Sequence, residues 1–436
     1  MESLWVATEQ DRGDGAALSG NLETDTVIVG GGLAGLLCAH LLQQRGIDCT
    51  VVEARRIGSG ITHKTTAKIT AQHGLIYTQI EKQYGLAAAK DYLDANQAAV
   101  GAYRSLCRGI DCDFEEKTAY VYSTTSRKKL QQEADLYRRM GLEPLFLERP
   151  PIPVKAVGAL GMPQQAQFHP MKFLSAIAGG LKIYEDTFAT DIAPGRVRTE
   201  KGTLRAKRIV LATHYPMVNL QGLYFMKLSQ HRSYVLALTG APDPDGMYID
   251  EREDGLSLRT YKEYLLLGGG GHPTGKRGGG WALLRRVARA AYPQAQEQYA
   301  WATQDCMTLD GMPYIGRHRQ RDRELYVATG FNKWGMTGSM VAAQLLSELI
   351  AEGGSRYATL FDPSRSMLHP QLLSNVGQAT VGLLSVGKRC THMGCALKWN
   401  PQEHSWDCPC HGSRFDQEGH VIDNPAKRGI DVGPGL

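Results

Sequence analysis

Residues Asp25 to Val29 form a short run rich in β-branched side chains, and Gly30-Gly31-Gly32-Leu33-Ala34-Gly35 follows at once. Behind it Leu36, Leu37, Ala39, Leu41 and Leu42 recur at helical spacing. Strand, glycine turn and helix in that order imply a parallel βαβ unit, and Asp48 to Val52, ending in Glu53, supplies its second strand. In such a unit Gly30 permits the tight turn, Gly32 lets the backbone approach a pyrophosphate at the helix N-terminus, and Gly35 lets the helix lie close on the sheet. Glu53 is placed to accept hydrogen bonds from a ribose diol. A dinucleotide site is therefore expected at this end of the chain, and these residues suit FAD and NAD alike.

At 436 residues the chain exceeds what one hydrophobic core organises, so two or three structural units are expected. Its 42% hydrophobic and 21% charged residues fit a folded α/β enzyme. The net charge of +5 is spread out, and the basic runs Arg285–Arg289 and Arg317–Arg323 are short and interrupted, which reads as solvated surface and argues against a nucleic-acid partner. Met1 to Asn21 reads as a polar tail with no secretory signal or anchor, and no apolar run is long enough for an integral membrane segment. Cys38, Cys49, Cys107, Cys112 and Cys306 are scattered and read as ordinary buried thiols of a cytoplasmic protein.

The other four cysteines cluster. Cys390-Thr391-His392-Met393-Gly394-Cys395 and Cys408-Pro409-Cys410-His411-Gly412-Ser413 give Cys-x-His, 15 residues, then Cys-x-x-His. Cysteine and histidine at such spacing also suit a structural zinc, but Gly394, Pro409, Gly412 and Ser413 resemble the two cluster-binding loops of Rieske proteins. That resemblance implies a [2Fe–2S] cluster with Cys390 and Cys408 as thiolate ligands and His392 and His411 as imidazole ligands. It also implies a Cys395–Cys410 disulfide tying the loops together. Ser413 stands where it would donate to a cluster sulfur, Phe415 stands where relatives place a tyrosine, and Asn424-Pro425-Ala426 resembles the loop that closes over the cluster; a mid-range potential is expected. Fewer strands precede Cys390 than in a full Rieske domain, so the subdomain is abbreviated and is expected to lean on the rest of the protein, with Leu368 to Leu384 as an amphipathic helix or extended linker.

Between the two ends the chain resembles FAD-dependent oxidoreductases of the D-amino-acid oxidase and glycine oxidase superfamily. Ile57-Gly58-Ser59-Gly60 through Thr65-Thr66-Ala67-Lys68 sits where that family's loop wraps pyrophosphate and flavin. Phe168-His169-Pro170, the strand Arg208 to Thr213, Asp310-Gly311-Met312-Pro313-Tyr314-Ile315-Gly316 and the strand Leu325 to Gly330 match further elements, followed by Gly335, Gly338 and a helix from Ser339 to Ile350. The resemblance favours FAD over NAD and implies cofactor contacts from Gly30, Gly32, Gly35, Glu53, Thr65, Thr66, Gly330, Gly335 and Gly338. The implied fold class is α/β: a Rossmann-type FAD-binding domain with an inserted mixed β-sheet substrate domain, plus a small all-β Rieske-type cluster subdomain. The expected boundaries are a polar tail 1–21, FAD-binding segments 22–80, 186–218 and 323–353, cap segments 81–185 and 219–322, a linker 354–385 and the cluster subdomain 386–436.

Glycine-oxidase-like members place an arginine before the D-G-x-P element to pair with the substrate carboxylate. Here Asp305 and Cys306 stand in that stretch, and a carboxylate there would repel a carboxylate substrate. Asp305 either faces a cationic amine or caps a turn. Other candidates for the substrate side are His73, Arg232, Tyr234, Arg259, Tyr261, His272 and Lys333, each of which also has an ordinary structural role open to it. The whole-chain resemblance, to bacterial FAD-dependent oxidoreductases with a C-terminal Rieske module, implies a dehydrogenase acting on a C–N bond of a small amine or amino-acid-like substrate. Its electrons would leave singly through the cluster to a ferredoxin or quinone. Reversed flow, an O₂-reducing amine oxidase with a structural cluster, and a non-catalytic redox-sensing protein are the alternatives.

Overall fold

The computed structural model describes residues 2–9 and 15–432; residues 1 and 10–14 of the expected tail and 433–436 of the expected cluster subdomain lie outside the described residues. Leu22–Val29 is the hub of an eight-stranded sheet, parallel to Gly202–Leu211 on one side and to Cys49–Val52 on the other. Lys182–Tyr184 continues the sheet beyond Cys49–Val52. Leu325–Thr329 lies parallel beyond Gly202–Leu211, and Tyr314–Arg317 closes that edge antiparallel. Period-two burial explains the hub: Ile28 faces the helices Leu33–Gln44 and Gly335–Glu352, while Val27 and Val29 face a second core with Leu204, Tyr215 and Tyr224. Lys182–Tyr184 and Tyr314–Arg317 thus join this sheet although their segments were expected in the cap.

A nine-stranded mixed sheet stands beside it, in the order Gln296–Met307, Ser229–Thr239, Tyr264–Pro273, Ser257–Tyr261, Met247–Asp250, Glu115–Ser123, Gly158–Gln167 and Lys68–Ile69, with Leu145–Leu147 also paired to Gly158–Gln167. Its one parallel pairing is Met247–Asp250 with Glu115–Ser123. Within the expected polar tail Leu4 and Trp5 are buried, Trp5 packs edge-on against His169 and Tyr261, and its indole N–H donates to Thr65 O at 2.6 Å. One large indole outweighs the polar composition around it.

The C-terminal subdomain is a four-stranded antiparallel sheet, Lys398–Asn400, Ser405–Asp407, Arg414–Phe415 and Val421–Asp423. Its own core is little more than Cys390, Cys395, Leu397, Cys408, Cys410, Phe415 and Ala426, too small to stand alone. It is held instead by buried polar contacts to the larger body. Glu403 pairs with Arg232 of the cap sheet, and within the subdomain Arg414 ties Glu403 to Asp423, which accepts from it at 3.0 Å. Asn424 Nδ2 donates to Thr213 O at 2.7 Å and Tyr215 O at 3.0 Å, and Arg55 donates to the carbonyls of Val421 and Ile422. The preceding segment is a helix, Pro370–Leu384, of which Gly382 alone is buried, beneath the sulfur of Cys410.

Candidate functional site

At the C-terminal ends of the parallel strands the chain folds the glycine turn into a cradle. Gly30 has φ +114°, and a Cβ there would meet Ala212 O at 2.5 Å; one on Gly35 would lie 1.9 Å from Gly30 O. Gly31 N–H donates to Glu53 at 2.7 Å and Arg55 N–H to its other oxygen at 3.0 Å. Burial pushes the Glu53 carboxyl up, and those two N–H groups oppose it. A cavity of about 1440 Å³ opens from here, lined by Gly30, Gly32, Glu53, Thr65, Thr66 and Gly335 among others. Gly35, Gly330 and Gly338 lie behind its wall: a Cβ on Gly330 would meet Thr308 and one on Gly338 would meet Phe331. On the wall His214 Nε2 and Thr303 Oγ1 are buried without a hydrogen-bond partner, which fits an enclosed polar ligand such as a dinucleotide.

Of the substrate-side candidates, His73, Tyr234, Asp305 and Lys333 line this cavity, while Arg232, Arg259, Tyr261 and His272 do not. His73 stacks on Trp334, accepts from Tyr92 Oη at 2.7 Å and donates to Thr70 O at 2.8 Å; burial lowers it to about 3, so it is neutral. The Tyr234 hydroxyl lies between His272 Nε2 at 2.9 Å and Glu403 at 3.2 Å, occupied in the docking of the C-terminal subdomain. Arg259 is fully buried against Trp5 and donates to Ala67 O at 2.8 Å, and burial lowers it to about 9. Tyr261 donates to Asp113 at 2.8 Å, and Arg232 is committed to Glu403. Asp305 lies within the strand Gln296–Met307, so the turn-capping role fails. Its side chain faces the cavity and burial raises it to about 6.

The two cysteine-histidine loops meet at one point. The His392 and His411 rings stand perpendicular with centroids 4.9 Å apart, and the Nδ1 atoms of both are buried without a hydrogen-bond partner. His392 Nε2 pairs with Asn219 Oδ1 at 3.2 Å, leaving Nδ1 as the free donor atom. The Cys390 thiol is hydrogen-bonded to Cys408 and accepts from Ser413. Two orphaned imidazole nitrogens beside two adjacent thiols are the donor set of a His₂Cys₂ iron–sulfur centre.

Residues 25–349 match the family profile of the FAD dependent oxidoreductases, and residues 375–434 match the Rieske [2Fe-2S] domain. The chain belongs to the FAD dependent oxidoreductase family. A Bacillus subtilis protein named as a Rieske 2Fe-2S iron-sulfur protein, YhfW, is 34% identical over 98% of this chain and 96% of its own length. Gamma-glutamylputrescine oxidoreductase of Escherichia coli is 24% identical, with 78% of this chain and 86% of that protein covered. Among solved structures, glycine oxidase from Geobacillus kaustophilus shares the fold at a TM-score of 0.66 and 21% identity over 79% of this chain and all of its own. The cofactors of this flavoprotein are FAD and a Rieske [2Fe–2S] cluster.

One expectation is overturned. Cys395 and Cys410 are free thiols, not a disulfide. The loops bring their sulfurs into a group with Cys408, all within 4.8 Å of one another, but no pair is joined as a disulfide, and the Cys410 thiol donates instead to Gln378 O at 3.9 Å. The sequence reading also missed residues that act across long separations. Gln230 and Gln304 on the cap sheet bond to the cluster loops, and Asn219 meets His392. None carries a local motif.

Proposed function

We propose that this flavoprotein oxidises the C–N bond of an amine or amino-acid-like substrate in the cavity and delivers the electrons through its Rieske domain to an external acceptor such as a ferredoxin or quinone. When bound, FAD supplies two-electron chemistry and the cluster single-electron transfer. Gly30, Gly32, Glu53, Thr65, Thr66 and Gly335 hold the dinucleotide in this reading, and Cys390, His392, Cys408 and His411 hold the cluster.

One observation carries it: the cavity that begins at the glycine cradle is closed on another side by Pro409, Asn424, Pro425 and Ala426 of the cluster loops. Gln230, on the same wall, donates to His411 O at 2.7 Å and to Asn424 O at 3.1 Å. The two cofactor sites thus share a wall of ordered protein, as a two-to-one electron converter requires. The substrate-side residues position more than they react: His73 is neutral and fully hydrogen-bonded, and Tyr234 is tied to Glu403.

Among the described residues no helix is long and apolar enough to cross a membrane. The free buried thiols of Cys38, Cys49, Cys107, Cys112 and Cys306 support a reducing, cytoplasmic setting. Anaerobic addition of a productive amine should bleach the flavin and then raise the EPR signal of the reduced cluster, with little peroxide formed in air. Bleaching without a cluster signal, with stoichiometric peroxide in air, would make the protein an oxidase instead.

A further inference from the structure

His214 lies just past the strand Gly202–Leu211 in a left-handed backbone conformation, φ +64°, that a histidine rarely adopts. Contacts from two other segments hold it there. Asn424, which follows the strand Val421–Asp423 of the cluster subdomain, donates from Nδ2 to the carbonyls on either side, Thr213 O at 2.7 Å and Tyr215 O at 3.0 Å. Thr329 Oγ1 donates to His214 O at 2.5 Å. A left-handed residue other than glycine costs stability and persists where its surroundings over-determine it, as these three hydrogen bonds do.

That backbone sets the imidazole on the wall of the cavity that begins at the glycine turn. The approach is close: a Cβ on Gly30 would meet the carbonyl of Ala212, two positions earlier, at 2.5 Å. Gln230 accepts a hydrogen bond from the ring, and Nε2 is buried with no partner, so the proton is on Nδ1 and Nε2 carries a lone pair. Burial lowers the ring to about 4 against the opposing influence of Asp423 and Gln230, which keeps it neutral. Gln230 is also the residue that donates to His411 O and Asn424 O, so ring and backbone of His214 are both seated on groups that dock the cluster subdomain.

We propose that His214 is a cofactor-binding residue whose Nε2 accepts a hydrogen bond from a hydroxyl or N–H group of bound FAD, and that Asn424 is the positioning residue that holds it there. The proposal does not depend on the substrate. Its consequence is that docking of the cluster subdomain sets the affinity of the flavin site.

The test uses the full chain freed of FAD. Rebinding is followed by quenching of flavin fluorescence, and the melting temperature of the FAD-free protein and its iron content are read in parallel. His214→Gly suits the left-handed backbone and removes the ring, so it should melt no lower than the unmodified protein while its Kd for FAD rises on the order of tenfold. His214→Asn tolerates the same backbone and keeps an acceptor, and should recover part of that affinity. Asn424→Ala should also weaken FAD binding, but should cost nothing further in the His214→Gly background, where there is no ring left to position. A His214→Gly protein that binds FAD as tightly as the unmodified one, as expected if water alone meets Nε2, would overturn the proposal. So would equal losses in His214→Gly and His214→Asn with a lowered melting temperature, which would make the ring a packing group. Additive losses in the double variant would overturn the role of Asn424.

Discussion

Gln230 Nε2 lies 2.7 Å from the main-chain oxygen of His411, and its Oε1 is fixed by Gln304 Nε2 at 2.8 Å. The amide cannot turn over, because Gln304 also donates to Gly412 O and accepts from Thr274 Oγ1. Gln230→Ala would strand the His411 and Asn424 carbonyls in a buried seam, which costs about 1–3 kcal/mol. Denaturant unfolding should register that loss. In single-turnover experiments the cluster signal should lag flavin bleaching more than in the unmodified protein, because the wall between the sites is loosened.

Glu403 bridges Arg232 and Arg414, both buried, and replacing it with alanine would leave Arg232 enclosed with Asp423 no nearer than 4.0 Å, while Arg414 keeps Asp407 and Asp423. The expected cost is about 3–5 kcal/mol, with Glu403→Gln less severe. Acid should act on the same seam. Burial pushes Asp423 up, but Lys64, Arg414 and Arg232 outweigh it and hold its carboxyl far below the ordinary range; Glu403 is lowered likewise by Arg232 and Arg414 against its own burial. A depressed folded value gives stability that is present above the unfolded value of about 4 and is lost as pH falls below it. The melting temperature should therefore drop on acidification below about pH 4, and Asp423→Asn should flatten that slope.

The dinucleotide unit and the paired cluster loops were legible because each is a local pattern: Gly30 to Glu53 encodes a turn and its strands within one βαβ stretch, and Cys390 to Ser413 a pair of adjacent loops. What was not legible depends on distant partners. Nothing around Glu403 or Arg414 announces that Arg232, on the cap sheet, will meet them, and Trp5 reads as part of a polar tail until Thr65, His169 and Tyr261 are brought beneath it. Asp305 was legible as a departure from the arginine of similar proteins, but its position in mid-strand and lack of a partner needed the neighbouring strand. The Cys395–Cys410 disulfide came from resemblance alone, and the structure has both as free thiols.

The orphaned Nδ1 atoms make the cluster ligands separable from their neighbours. Cys390→Ser, Cys408→Ser, His392→Ala and His411→Ala should each abolish the EPR signal of the reduced cluster and lower the iron content, while flavin remains bound. Cys395→Ser and Cys410→Ser should keep the signal, since the Cys-x-His and Cys-x-x-His pattern leaves both outside the ligand set. A signal lost in Cys410→Ser but kept in His411→Ala would point to a thiolate site at Cys395, Cys408 and Cys410 instead.

The Asp305 carboxyl on the cavity wall predicts an acid limb in the pH profile of amine oxidation. Burial raises Asp305 to about 6 against the opposing influence of Lys333 and Arg232, and His231, its cross-strand neighbour, is lowered to about 4 by burial and so stays neutral across the window. Amine binding needs the ionised carboxylate, so kcat/KM should rise as pH passes about 6. Asp305→Asn should erase that acid limb. Stability should move the other way for Asp305: a folded value above the unfolded one means stability falls as pH rises through about 6, so Asp305→Asn should melt higher than the unmodified protein at neutral pH. A variant that loses amine affinity yet gains thermal stability is the signature of a charge kept in place for its ligand rather than for the fold.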